Sequence, residues 1–249
     1  MAERPEAEQI ETIPERLANV KERINRACDE AGRSSEDVTL IAVSKFHSPL
    51  AVSAAIQAGQ RHFAENRVQE LLAKQADLQE LNPDVASQAD WHLIGSLQRN
   101  KVRKVLGKVS LIQSVDRPSL LEEINRIVMQ RELPAAQDVL LEINYSRESS
   151  KQGWPPDAVN ELLEAARQQP GIRVRGLMTM AEFGLDADSQ LAFFSQVRRG
   201  WESIRGSLPD DEQADFDILS MGMSGDFEAA VASGSTMVRV GTAIFGPRA

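Results

Sequence analysis

Eight short apolar runs punctuate the chain, and a segment of different periodicity separates each from the next. They read "VTLIAVS" (38–44), "HFAE" (62–65), "WHLIGS" (91–96), "LIQSV" (111–115), "VLLEIN" (139–144), "VRGLMTM" (174–180), "FDILSMGM" (216–223) and "MVRVGTAIFG" (237–246). Each is short and rich in β-formers, the pattern of a strand buried on both faces. The intervening segments are helical. "PLAVSAAIQAG" opens on Pro49 and stops at Gly59, and "PPDAVNELLEAARQQPG" opens on Pro155 and stops at Pro170 and Gly171. Proline at the start and glycine past the end are helix punctuation. "VQELLAKQADLQEL", "SLLEEINRIVMQREL" and "DSQLAFFSQVRRGWESIRGSL" carry apolar residues at helical spacing, and "DFEAAVASG" is a short helix ending at glycine.

Strand and helix alternating throughout predict parallel strands joined by helical crossovers. Eight such units in 249 residues fit a single (β/α)8 TIM barrel spanning 1–249, with no linker or second domain. The rival is an open doubly wound sheet, but no GxGxxG follows the first run. The eighth run falls close to the last residue, so no final crossover helix is expected. An extra N-terminal helix, "IPERLANVKERINRACDEAG" (13–32), is expected to cover that gap.

Charge and composition narrow the function. The net charge of -9 argues against a nucleic-acid binder. The basic run "QRNKVRKVLGK" (98–108) reads as the solvated face of a helix. The single cysteine, Cys28, reads as packing on the inner face of the early helix, and no CxxC metal spacing exists, so no metal site is read. "MAERPEAEQIETIPERL" lacks the apolar region of a secretory signal, and no run is long enough to span a membrane. The expectation is a cytoplasmic protein.

A barrel of this kind carries its chemistry at the carboxyl ends of its strands. Lys45, Glu65, Asn66, His92, Asn144, Met180, Ser224 and Arg239 fall at or near such ends. A lysine desolvated at the mouth of an apolar strand tends towards a neutral, nucleophilic amine suited to a carbonyl. The alternative is an ion pair with a neighbour such as Glu65. In the last third, Ser220 to Asp226 follow a strand and open a helix, and Gly241-Thr242 repeat small residues at the eighth run. Loops after the seventh and eighth strands are the usual phosphate site of a barrel. An amine on one side and a phosphate cradle on the other suit a phosphorylated aldehyde, for which pyridoxal 5'-phosphate (PLP) is the candidate. Arg239 lies two residues before Gly241 and projects to the same face, towards the pyridine nitrogen or towards a barrel carboxylate. His92 reads as a satisfied histidine at a strand end ahead of a proton carrier, and His47 and His62 carry no assigned role.

These stretches are also familiar. "LIAVSK", "FAENRVQE", "WHLIGSLQRNKV", "IQSVDR", "LLEIN…ESSKQG", "RGLMTMA" and "LSMGMSGDFEAAVASGSTMVRVGTAIFG" resemble the pyridoxal phosphate homeostasis protein family along nearly the whole chain. That family is similar to the barrel domain of alanine racemase, a fold-type III PLP protein. The resemblance implies Lys45 as the Schiff-base lysine, Ser224, Gly241 and Thr242 at the phosphate, and Arg239 at the ring nitrogen. It implies Asn66 beside the cofactor, with Ser220 and Met223 nearby, and Lys151 as a loop contact. Ala64 stands where the family usually has glycine, and "KFHSP" departs from the commoner "KTKP".

Two functions compete: an amino-acid racemase, and a non-catalytic protein that holds PLP as a Lys45 aldimine and exchanges it with PLP-requiring apoenzymes. Racemases of this type carry a separate β domain and a partner-subunit tyrosine. Here nothing of domain size follows Gly246, and the one tyrosine, Tyr145, reads as a solvent-facing loop residue. A cofactor open to water lacks the solvent exclusion that protects reactive intermediates. The expectation is a non-catalytic PLP binder, monomeric, with no nucleic-acid or membrane partner.

Overall fold

The computed structural model describes residues 6–146 and 153–247. Lys151 lies outside the described residues. Eight parallel strands close into a barrel: β1 (Thr39–Val43), β2 (His62–Glu65), β3 (Asp90–Leu93), β4 (Leu111–Val115), β5 (Gln137–Glu142), β6 (Ile172–Met178), β7 (Ile218–Ser220) and β8 (Met237–Val240). Neighbours pair in chain order, and β8 closes on β1 with Ile41 opposite Arg239. The two-residue alternation of strands sorts the side chains. Ile41, Val43, Ala64, Leu111, Leu140, Met178 and Met237 fill the barrel interior. Leu40, Ala42, Phe63, Val139, Leu141 and Val238 face outward into the main core beneath the helices.

The surrounding helices are α1 (Glu6–Glu11), α2 (Ile13–Glu30), α3 (Pro49–Gln57), α4 (Val68–Leu81), α5 (Pro83–Ala86), α6 (Arg99–Val105), α7 (Pro118–Gln130), α8 (Val159–Arg167), α9 (Ala187–Ser207), α10 (Asp210–Asp215), α11 (Phe227–Ala232) and α12 (Thr242–Phe245). Their ends follow local chemistry. Ser48 Oγ accepts from Ala51 N at the start of α3, and Asp186 caps α9 through Ser189 N at 2.8 Å. On α6, Val102 and Val105 are buried while Arg103 and Lys104 face solvent, the amphipathic pattern expected of the basic run. No helix among the described residues is long and apolar enough to cross a membrane.

The early helix covers the expected gap. α2 buries Ile13, Leu17, Val20, Ile24, Ala27 and Cys28 and packs against α3, α11 and α12. Six of the eight runs differ from the strand bounds, and two of them are cut short at a glycine. The run 237–246 is not all strand: β8 ends at Val240, and Gly241 O accepts from the N–H groups of Ile244 and Phe245 to start α12. The chain therefore does turn into a helix after the eighth strand, a short one. The seventh run is trimmed at Ser220, because Gly222 bends the chain away with φ +96. A Cβ at Gly222 would lie 2.6 Å from that of Ala230, so glycine is required by both backbone and packing.

Candidate functional site

At the carboxyl end of β1 the chain turns sharply. Ser44 is buried, and His47 N donates to Ser44 O at 3.0 Å, closing a turn with Lys45 and Phe46 at its centre. Phe46 adopts φ 68, the left-handed conformation that the third residue of a type II turn needs and that glycine usually supplies. The turn lifts Lys45 to a half-buried position on the rim. Glu65, the carboxylate considered as its ion-pair partner, is engaged by Lys74 of α4. Lys74 Nζ lies 2.5 Å from Glu65 Oε1 and donates to Ser44 O at 2.7 Å, while Ser44 Oγ donates to the same carboxylate oxygen at 2.7 Å. Lys74 and Glu65 are both buried, and burial pushes the Glu65 carboxyl up despite the ammonium beside it. This pair anchors the base of the Lys45 turn.

Across the mouth, the loop after β7 meets the start of α12. Ser224 Oγ accepts from Gly241 N at 3.2 Å and from Ala243 N at 3.5 Å, gathering two N–H groups around one oxygen. A Cβ on Gly241 would sit 3.1 Å from Val43 O, so a side chain there would press on the end of β1. Asp226 Oδ1 accepts from Met223 N at 2.5 Å and shapes the loop. Ser224 and Gly241 are half-buried, whereas Met223 and Thr242 face solvent. The two sides are tied together, since the His47 ring stacks on Phe245 at 5.1 Å. Asn66 joins the same rim: β1 and β2 pair Val43 with Ala64, and Lys45 and Asn66 each lie two residues further on. Gly95 makes room for it, because a Cβ there would fall 2.1 Å from Asn66 O.

One layer deeper sits Arg239, buried on β8. Its guanidinium donates to Ser220 Oγ at 2.6 Å and to Thr179 O at 2.8 Å. Burial lowers its pKa to about 10, while Asp226 and Glu142 act through space to hold the charge. Glu142, buried on β5, is pushed up to about 7 by desolvation first and by the nearby Asp116 second, with Arg239 opposing. Ser220 Oγ donates to Gln113 Oε1 at 2.7 Å, and Gln113 Nε2 lies 3.0 Å from His92 Nδ1.

Lys45, Asn66, Met223, Ser224, Gly241 and Thr242 thus gather at the rim, with Ser220 and Arg239 beneath. Two other expectations change. His92 is the third residue of β3, and its Nε2 faces Asp90 at the amino end of the barrel, 3.5 Å from Oδ2. It is therefore no part of the mouth, and burial pushes its pKa down. Tyr145 is not solvent-facing: it packs against the core, and its hydroxyl lies over Gly200 of α9, where an added Cβ would be 2.3 Å away. Burial raises its pKa. Asn144 lies just past the carboxyl end of β5, as its place in the run implied, and its Oδ1 accepts from Ser146 Oγ at 2.9 Å. Glu142, Gln113 and Lys74 were not singled out from sequence. Each had a signal: the first two are polar residues inside apolar runs, and Lys74 continues the buried face of α4 set by Val68, Leu71 and Leu78.

The donor set fits PLP chemically: a rim amine, two N–H groups already gathered on a hydroxyl oxygen, and a buried guanidinium held by neutral partners. Fold and site together define a barrel of the alanine racemase N-terminal type. The family described as alanine racemase, N-terminal domain, matches residues 16–249. The chain belongs to the pyridoxal phosphate homeostasis protein family. It is 38% identical over 234 residues to the member from Aquifex aeolicus, covering 94% of this chain and 97% of that one. It is 40% identical over 238 residues to the Escherichia coli K12 member, covering 95% and 97%. The structure of PipY from Synechococcus elongatus PCC7942 with PLP bound superposes with a TM-score of 0.76 at 38% identity, covering 94% of this chain and 100% of that chain. Alanine racemase from Corynebacterium glutamicum shares the fold, with a TM-score of 0.65 at 16% identity over 96% of this chain and 61% of its own.

Proposed function

We propose that this protein binds PLP at the carboxyl end of the barrel and takes part in cytoplasmic PLP homeostasis as a holder of the cofactor, exchanging it with PLP-requiring apoenzymes. The observation that carries this reading is the union of the Lys45 turn and the Ser224–Gly241 cradle at one rim, joined by the His47–Phe245 stack. The PLP-bound state of the 38% identical PipY supports it. When bound, PLP supplies an electrophilic aldehyde carried on a pyridine ring with a phosphate.

In this reading Lys45 holds the aldehyde covalently through its amine. Ser224, the N–H groups of Gly241 and Ala243, and the exposed Thr242 receive the phosphate. Arg239 meets the ring nitrogen, and Ser220 and Thr179 fix its guanidinium. Asn66 flanks the ring, and Met223 covers the solvent side. A guanidinium with a pKa of about 10 stays charged at neutral pH and opposes protonation of the ring nitrogen, which weakens the ring as an electron sink. Tyr145, packed on α9, is no ready proton carrier for the rim. Both features favour storage over turnover, and the exposed Met223 and Thr242 leave a route for exchange.

The test is borohydride reduction of PLP-loaded protein followed by peptide mapping. The expected result is a single reduced adduct on Lys45, lost in Lys45→Ala; an adduct elsewhere, or none, refutes the binding claim. Steady interconversion of alanine isomers by pure protein, abolished by Tyr145→Phe, would overturn the holder reading.

A further inference from the structure

The amino end of the barrel holds a second cluster that PLP binding does not use. β2 and β3 run side by side with His62 paired to Asp90 and Ala64 paired to His92. That register brings two imidazoles and one carboxylate together. His62 Nδ1 lies 3.0 Å from Asp90 Oδ2, and His92 Nε2 lies 3.5 Å from the same oxygen. The rings meet edge to face with centroids 5.6 Å apart, and the three ligand atoms all lie within 4.8 Å of one another.

Two further facts point to a ligand. His92 is 3% exposed, and its Nε2 is buried without a hydrogen-bond partner among the described residues, aimed at the Asp90 carboxylate. An unpaired buried nitrogen is costly, and native structures rarely leave one without a purpose. The cluster also lies on the wall of a cavity of about 910 Å³, which Ser110, Thr39 and Met237 help to line. Room for a further ligand is therefore present.

We propose that His62 Nδ1, Asp90 and His92 Nε2 form a binding site for a borderline divalent cation of the Zn²⁺ or Co²⁺ type, with the remaining coordination positions open to the cavity. Bonds of about 2.0–2.2 Å to nitrogen and oxygen set tetrahedral ligand atoms roughly 3.3 Å apart, which the two spacings to Asp90 bracket. Two imidazoles with one carboxylate favour such ions over the all-oxygen shells of calcium and magnesium. A cation on Nε2 leaves the His92 proton on Nδ1, so the Gln113 amide, whose Nε2 faces Nδ1 at 3.0 Å, must turn its oxygen to that nitrogen and its amide N–H to Ser220 Oγ when the cation binds.

The chain has three histidines, and His47 lies at the opposite mouth, so ring-nitrogen spectroscopy carries its own control. Untagged, PLP-loaded full-length protein is titrated with Zn²⁺ while long-range ¹H–¹⁵N correlations of the imidazoles are followed. One equivalent should shift His62 Nδ1 and His92 Nε2 and leave His47 in place. In parallel, Co²⁺ should develop visible ligand-field bands. Affinity for Co²⁺ should fall at least about tenfold in His62→Gln and in Asp90→Asn, with unchanged circular dichroism. The His62 side chain is 40% exposed, so the first substitution is compatible with folding. Unmoved His62 and His92 resonances at excess Zn²⁺ would overturn the proposal and leave a simple hydrogen-bonded cluster; so would undiminished Co²⁺ binding by the folded variants.

Discussion

Glu142 gives the sharpest quantitative test of the barrel's electrostatics. It points inward from β5, is 4% exposed, and titrates near 7 instead of its ordinary 4.5. Between those values the folded protein keeps a proton that the unfolded chain has released. Stability contributed by this group is thus full below about pH 4.5 and is lost as pH rises through 7. The full loss is about 3 kcal/mol, from about 1.4 kcal/mol per pH unit across the gap. Glu142→Gln keeps the shape and removes the titration. In PLP-free protein, urea unfolding of wild type and E142Q at about pH 5 and about pH 8 should show their stability difference moving by about 2–3 kcal/mol in favour of E142Q at the higher pH. Titrating groups not coupled to Glu142 cancel in that double difference. A difference that stays constant across this range would refute the buried, proton-holding carboxyl.

Lys74→Met should destabilise the protein by about 3–5 kcal/mol at neutral pH, because it strands the Glu65 carboxylate in the interior. The Lys74→Met/Glu65→Gln double variant should recover part of that loss, as read by urea or thermal unfolding. Phe46→Gly should raise the stability of PLP-free protein by about 1 kcal/mol by releasing the left-handed strain at φ 68, since the Phe46 side chain is 48% exposed and loses little packing. A fall in melting temperature for F46G would show that the ring's contacts outweigh the strain.

The barrel itself was legible because its strands are buried on both faces, which writes them as compact apolar runs. "HFAE" and "LIQSV" coincide with β2 and β4 residue for residue. Two of the misread boundaries share a cause: Gly222 and Gly241 end their strands through backbone conformation, and beyond Gly241 the apolar residues belong to α12. The rim residues were legible as small or basic types after strands. The layer beneath was not. The direction of a side chain decides which mouth it serves, and the ring of His92, third of four residues in β3, reaches back to Asp90 at the amino end. Lys74 escaped notice because a helix position reveals its face but not which distant carboxylate it reaches. Tyr145 docks on Gly200, a contact across 55 residues that no local pattern encodes.

The covering helix α2 also sets an order of events during synthesis. Its apolar face of Ile13, Leu17, Val20 and Ile24 is made early, yet two of the helices that cover it, α11 and α12, lie more than 190 residues downstream. The same late segment supplies β8, the partner of β1, and both halves of the Ser224–Gly241 cradle. A nascent chain emerging from the ribosome therefore carries an open seam until residues 218–245 are made. Sealing that seam and completing the cradle are one step, so cofactor capture reports on a finished barrel.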